Sequence, residues 1–312
     1  MASWMSLFWK TGEMMNFFSG KQLLALCEEH QMSIAQVMLA RELEVSGRTE
    51  GEVIAGVKHS LDVMFRSIEQ GLASYDKSLG GLLSGHSKKI YGELGKESFY
   101  LPDRTMKAVA YALAVMESNA RMGVIVAAPT AGSSGILPAV LRDAQETSGA
   151  TMAQLVDAYL CAGAVGLIVM QNASISGAKG GCQAEIGTST AMSAAALVQL
   201  KGGSPKQCLD AASFAFKNIL GLACDPIAGL VEVPCAKRNG LGVLNAMYCA
   251  DLALMEIGSL VPFDEIVDAM YHVGLSMPAT LRETAMGGLA ATPTAKRIER
   301  DLFANTELSK KK

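Results

Sequence analysis

The sequence predicts an all-α fold, a packed helical domain whose chemistry sits in the loops between helices. Three observations carry that expectation. Apolar residues recur at three- and four-residue spacing over most of the chain, few stretches alternate with period two, and the hydrophobic half of the composition is mostly Ala, Leu, Val, Met and Gly, with aromatics at only 6%. The chain has 312 residues, 18% of them charged, and a net charge of −3. With a mean hydropathy of +0.26 it is more apolar than an average soluble domain, so much surface must be hidden in a core or against other subunits. It has no basic arm or arginine-rich stripe, so nucleic acid is not an expected partner.

Taken in order, the first region runs from Lys21 to about Leu83. There Val37, Leu39, Leu43, Val53, Val57, Leu61 and Met64 fall at helical spacing with charges between them, which predicts two amphipathic helices. Residues 80–101 carry turn formers and mixed polarity and predict a connection. This is the best boundary between an N-terminal helical region, 1–85, and a main domain, 86–312, unless the two are continuous. Beyond it, helices are expected over 103–122, 137–147, 151–171, 183–200, 205–220, 240–260 and 264–273. Ser204 before Pro205 reads as a capped start, and Phe263-Asp264 before Glu265 as another.

The most apolar window, 155–170, contains Asp157 and falls short of the roughly 20 apolar residues of a membrane-spanning helix. It predicts a core helix, and no membrane association is expected. The N-terminal MASWMSLFWKTGEMMNFFSG is apolar but has neither a basic start nor a small-residue cleavage site, so no secretory signal and a cytoplasmic protein are expected. Seven cysteines, an odd number, suit thiols or metal ligands better than a disulfide framework.

Three segments break the helical pattern: 128–136 (APTAGSSGI), 171–187 (QNASISGAKGGCQAEIG) and 222–240 (LACDPIAGLVEVPCAKRNG). Small and polar residues crowd them, which suits either helix caps and tight packing or the grip of a small anion by backbone N–H groups and hydroxyls. Cys182, Cys224 and Cys235 lie inside these segments, whereas Cys27, Cys161, Cys208 and Cys249 lie in apolar helical runs where a cysteine is ordinarily a small buried hydrophobe. The spacing of the first three matches neither a zinc finger nor a ferredoxin. Cys182 follows Gly180-Gly181, Cys224 precedes Asp225-Pro226 and Cys235 follows Pro234, however, so each stands where the backbone is expected to bend and the thiols could face one centre.

The strings PTAGSSGILPAV, NASISGAKGGCQAEIG and LGLACDPIAGLVEVPCAKRNG, with the later MPATLRETAMGGLAATPTA, resemble the signature segments of the alpha chain of iron–sulfur L-serine dehydratases, and the similarity runs over nearly the whole chain. The resemblance implies a [4Fe-4S] cluster on Cys182, Cys224 and Cys235 with one iron lacking a protein thiolate. It further implies L-serine as substrate, pyruvate and ammonia as products, and a beta portion, fused or separate, whose Ser-Ser-His-Thr element does not occur here. Three thiolates leave an open iron, which suits a Lewis acid acting on the β-hydroxyl of serine rather than an electron carrier. Thr130, Gly132, Ser133, Ser134, Asn172, Ser174 and Ser176 are the expected carboxylate-binding residues. No histidine lies in the three segments, and His30, His59, His86 and His272 read as ordinary surface or core residues, so the base is unassigned and could come from the beta subunit. Lys237 and Arg238 could balance cluster charge, contact a carboxylate or simply be solvated; Asp225, Glu185 and Glu232 have no assigned role. Long Ala- and Gly-rich helices suit an oligomer. Competing readings are a cysteine desulfidase on the same cluster domain, a non-enzymatic iron–sulfur redox sensor, and a pyridoxal-phosphate lyase with Lys179 as the Schiff base. The last expects alternating strands and helices that the pattern lacks.

Overall fold

The computed structural model describes residues 15–96 and 99–304; the first part of the N-terminal apolar stretch lies outside them. The described residues form thirteen α-helices. In chain order these are α1 (Gly20–Glu29), α2 (Ile34–Ser46), α3 (Glu50–Ala73), α4 (His86–Glu93), α5 (Asp103–Ala120), α6 (Ile136–Ser148), α7 (Met152–Asn172), α8 (Gly177–Gly180), α9 (Thr188–Leu200), α10 (Pro205–Lys217), α11 (Cys235–Leu254), α12 (Phe263–Ser276) and α13 (Pro293–Ala304). Two isolated bridges, Lys77 with Ser84 and Cys224 with Arg282, are the only β pairings among them. The all-α expectation holds.

Helix α9 is the axle of the fold. Its sequence, TSTAMSAAALVQL, is buried without interruption from Thr188 to Ala196, and such small side chains let α6, α7, α10 and α11 pack around it. Three of its four hydroxyls are paired within that core, and only the buried Ser193 hydroxyl has no hydrogen-bond partner. Thr188 and Thr190 donate to the carbonyls of Ala184 and Ile186, both at 2.6 Å, and Ser189 donates to the Ser133 carbonyl at 2.9 Å. Around this axle the hydrophobic core runs from Phe17 to Met270, drawing residues from both sides of position 85. Each fully buried Leu, Ile or Val, such as Leu155, Val165 and Ile168, contributes roughly 1.5–3 kcal/mol. Helix α7 is long and apolar enough to cross a membrane by length and composition, yet 61% of its most apolar window is buried inside the fold. It is the core helix that its sequence predicts.

Between Gly20 and Ala73 three helices form where two are expected. The extra break comes from paired caps: Ser33 with Gln36 and Thr49 with Glu52 each close a reciprocal box at a helix start, as do Thr151 with Gln154 and Ser204 with Gln207. The predicted start near Asp264 is present, but its carboxylate serves another helix, accepting from the Gly20 and Lys21 amides at 2.6 and 3.0 Å at the head of α1. Residues 80–101 contain the short helix α4, held by the buried Glu117, which accepts from the His86 amide at 2.6 Å and the Ser87 hydroxyl at 2.8 Å. Glu232 anchors the preceding turn, accepting from the Ser78 hydroxyl and from the Gly80 and Leu82 amides. Two buried carboxylates thus fasten the connection to the rest of the fold.

Candidate functional site

Cys182, Cys224 and Cys235 are all free thiols, exposed by only 2, 3 and 7%. They stand on three different kinds of backbone. Cys182 leads into a π-helical turn, Gln183–Gly187, that runs on into α9. Cys224 lies in an extended stretch whose amide donates to the Leu281 carbonyl at 2.9 Å and whose carbonyl accepts from the Glu283 amide at 2.7 Å. Cys235 is the first residue of α11, following Pro234. Burial pushes the Cys182 thiol up to about 11 and Cys235 to about 12, and pushes Cys224 further still. Cys224 and Cys235 are each raised further by the charge of Cys182, so the three sulfur atoms occupy one electrostatic neighbourhood.

The three segments singled out in the sequence are tied together by side chains. Glu185, in the turn after Cys182, accepts from the Thr130 hydroxyl at 2.8 Å and from the Cys224 thiol at 3.9 Å. Burial raises its carboxyl above the usual range. Gln183 joins the second and third segments, its backbone amide donating to the Leu222 carbonyl at 3.0 Å, while its side chain donates to the Gly180 and Met270 carbonyls and accepts from the Gly221 amide, each at 2.9 Å. Asn239, fully buried in α11, joins the first and third: its oxygen accepts from the Gly135 amide, and its nitrogen donates to the Gly132 and Cys235 carbonyls. These ties went unread in the sequence, although Gln183, Glu185 and Asn239 are polar residues among small and apolar ones, which was the available signal.

Arg238, one turn into α11, donates to the Ala223 carbonyl at 2.8 Å and to Asp225 at 2.9 Å, and its charge works against the burial that raises the Cys182 thiol. Asp225 in turn accepts from the Leu289 amide at 2.8 Å. Two glycines make room. A Cβ on Gly177 would lie 2.6 Å from Glu185 and 2.9 Å from the Cys224 sulfur, and Gly181, at φ +75°, takes the left-handed turn just before Cys182.

The remaining expected residues are placed as follows. Thr130 and Gly132 are half-buried beside Glu185. Ser133 and Ser134 are fully buried, and Ser134 donates back to the Ala131 carbonyl at 2.8 Å, so they shape the turn. Ser174 and Ser176 are half-buried, the Ser174 hydroxyl accepting from the Ser176 amide at 3.1 Å. Asn172 closes α7, its amide donating to the Phe18 and Ile168 carbonyls at 2.6 and 2.8 Å. Lys179 is exposed on α8, and the described residues contain no strand of the kind a pyridoxal-phosphate lyase expects.

Among the described residues no three His, Cys, Asp or Glu side chains converge on a single point as one metal ion requires. The arrangement is instead three buried sulfurs, one in the second segment and two in the third, that influence one another electrostatically, with the Arg238 guanidinium and the Glu185 carboxyl nearby. Sulfur donors of this kind favour soft or borderline metals, iron–sulfur clusters among them.

Comparison with known proteins gives a consistent picture. The serine dehydratase alpha chain family matches residues 29–290. A probable L-serine dehydratase alpha chain of Bacillus subtilis (strain 168) is 45% identical over 287 residues, which cover 92% of this chain and 95% of the relative. An L-serine dehydratase alpha chain of Peptoniphilus asaccharolyticus is 43% identical over 285 residues, covering 91% and 98%. An L-serine dehydratase of Escherichia coli (strain K12) is 37% identical over 281 residues, covering 88% of this chain but 62% of that longer protein.

Proposed function

Because the chain belongs to the serine dehydratase alpha chain family, we propose that it is the cluster-bearing subunit of an iron–sulfur L-serine dehydratase, converting L-serine to pyruvate and ammonia. The observation that carries the cluster is the set of three buried, free thiols at Cys182, Cys224 and Cys235, drawn from two of the three segments into one neighbourhood. The donor set fits the group. It is all sulfur, a cluster's thiolates bind different irons and so ring a volume instead of meeting at a point, and a cationic side chain stands beside it. When bound, such a cluster supplies an iron without a protein thiolate, a Lewis acid for departure of the β-hydroxyl.

The chain's own residues bind and orient. The Thr130–Ser134 turn and the Ser174–Ser176 stretch offer hydroxyl and amide groups to the substrate carboxylate. Ser133 and Ser134 hold the shape of that turn from within, and Asn172 fixes the end of α7 from which the second segment departs. Glu185 orients the Thr130 hydroxyl and Asn239 pins the Gly132 carbonyl, so that Cα is held in one pose for deprotonation. The proton acceptor is assigned outside the three segments, which contain no histidine. A beta chain is its proposed source, and the alpha-chain names of two relatives and the greater length of the Escherichia coli protein support such a partner.

The test is to purify the chain without oxygen and measure pyruvate from L-serine, with and without the partner chain, beside sulfide release from L-cysteine. Serine turnover that depends on bound iron supports the proposal. Sulfide release without serine turnover moves the activity to a cysteine desulfidase, and reversible cluster loss with no turnover of either amino acid moves it to a redox sensor.

A further inference from the structure

We propose that Arg238 is the clamp of the cluster site: one guanidinium that ties both residues flanking Cys224 to the helix that begins with Cys235 and balances the charge of the site, with Asp225 as the residue that positions it. The inference rests on the cluster reading above and adds to it a residue that holds two of the proposed ligands in register.

The contacts of Arg238 are what set it apart from an ordinary ion pair. It sits on the first turn of α11, three residues after Cys235. Its Nη1 donates to the Ala223 carbonyl and its Nη2 to Asp225 Oδ1, the two residues that flank Cys224. A single planar fork therefore meets the chain on both sides of one proposed ligand and ties it to the helix that begins with another. The guanidinium and Asp225 are exposed by only 15 and 7%. Burying such a pair is seldom a net gain in stability, because desolvation offsets the attraction. A buried Arg–Asp pair that brackets a proposed ligand is thus better explained by the site than by the fold.

Charge leads to the same place. With the thiols protonated, Arg238 and Asp225 neutralise each other. Cluster binding converts the thiols to thiolates and adds negative charge in a space that also holds Glu185. Arg238, held between the residues flanking Cys224 and the start of α11, places a cation at two of the three proposed ligands. A positive charge held beside a cluster raises its reduction potential. Asp225 holds the fork from one side and the Leu289 amide from the other, so it steers Arg238 without touching the cluster.

Arg238→Gln, Arg238→Lys and Asp225→Asn test this in the full chain, purified anaerobically. Iron and sulfide content, reduction potential of the loaded fraction and the decay of visible absorbance in air are read beside the thermal midpoint of the chain. Arg238→Gln is expected to shift the potential negative and to speed decay by roughly tenfold, the worth of one charge-assisted hydrogen bond. Arg238→Lys keeps the charge but not the fork, so its potential stays near wild type while decay quickens. Asp225→Asn falls between wild type and Arg238→Gln. If the Arg238→Gln chain has a lower midpoint but an unchanged potential and decay, Arg238 is a folding residue only and the proposal is overturned. Should Arg238→Gln not fold, Arg238→Lys with wild-type decay overturns it equally. A wild-type chain that takes up no iron removes the cluster reading itself, an outcome distinct from either.

Discussion

Two groups of cysteines in this molecule are equally buried and chemically opposite in their surroundings. Cys27, Cys161 and Cys208 lie near one another in the core between α1, α7 and α10: Cys161 donates to the Ala195 carbonyl at 3.7 Å, and its thiol is raised by Cys208 and burial and further by Cys27 and by Asp157 one turn earlier on α7. Their packing is otherwise apolar, and burial pushes Cys27 up to about 12. Cys182, Cys224 and Cys235 are no more exposed, but Arg238, Glu185 and Asp225 stand against them. Burial alone therefore does not separate a structural thiol from a ligand. What separates them is the charged residues that the fold also buries, and where the backbone changes direction.

The largest expected effect breaks the comparison directly. Cys182→Ala, Cys224→Ala and Cys235→Ala should each lose bound iron and serine turnover, while Cys27→Ala and Cys208→Ala keep both and lose about 1 kcal/mol of stability from the small cavity left behind. Iron content and denaturant unfolding of the five variants check this, and iron loss in a core variant would erase the distinction. Next comes Gly177→Ala. Its Cβ would press on Glu185 and the Cys224 sulfur, so iron occupancy should fall with a stability loss of about 1–3 kcal/mol from overpacking; unchanged iron content would mean that the segment yields freely.

Much of this was legible in the sequence. The three segments could be read because their Gly, Ser, Thr and Pro residues interrupt long apolar periodicity, and Ser204-Pro205 marked a helix start. Other features were hidden for physical reasons. The third segment reads as a loop to Gly240, yet α11 begins at Cys235, because the residues after Pro234 tolerate a helix and their polarity serves ties made across 100 positions, such as Asn239 to Gly132. Helix α13 lies beyond the periodic runs, is charged on most faces, and starts at Thr292-Pro293, where the Thr292 hydroxyl accepts from the Ala295 amide at 3.3 Å. Glu185 could be seen but not assigned, because its partners Thr130 and Cys224 are brought near it only by folding.

Two smaller effects sharpen the contrast. Asn239→Ala leaves the buried Gly135 amide and the Gly132 and Cys235 carbonyls without this partner, so unfolding should ease by about 2–3 kcal/mol and the KM for serine should rise; a rise in neither would show that the tie is replaceable. The weakest effect belongs to a polar network away from the thiols. Burial pushes the Glu146 carboxyl up, but hydrogen bonds from Lys107, Tyr111 and Arg142 outweigh it, and its folded-state value lies below the ordinary one. Its contribution is therefore present above the unfolded-state value near 4.3 and is lost as pH falls through the lower folded-state value. Glu146→Gln should remove that part of the acid sensitivity, worth about 0.5 kcal/mol for a partly exposed pair, and leave iron content unchanged. Chemical denaturation between neutral and acidic pH reads it, and iron loss in this variant would spread the site beyond the three segments.

The central claim is that three thiolates hold a cluster and leave one iron for substrate, and Mössbauer spectra of the iron-57-loaded chain with its partner, before and after L-serine, test it most directly. The account predicts that about a quarter of the iron signal moves when serine is added while the rest stays, as one open iron of four requires. Pyruvate formation by a chain that binds no iron, or by one whose four irons all keep their signals with serine bound, would contradict it.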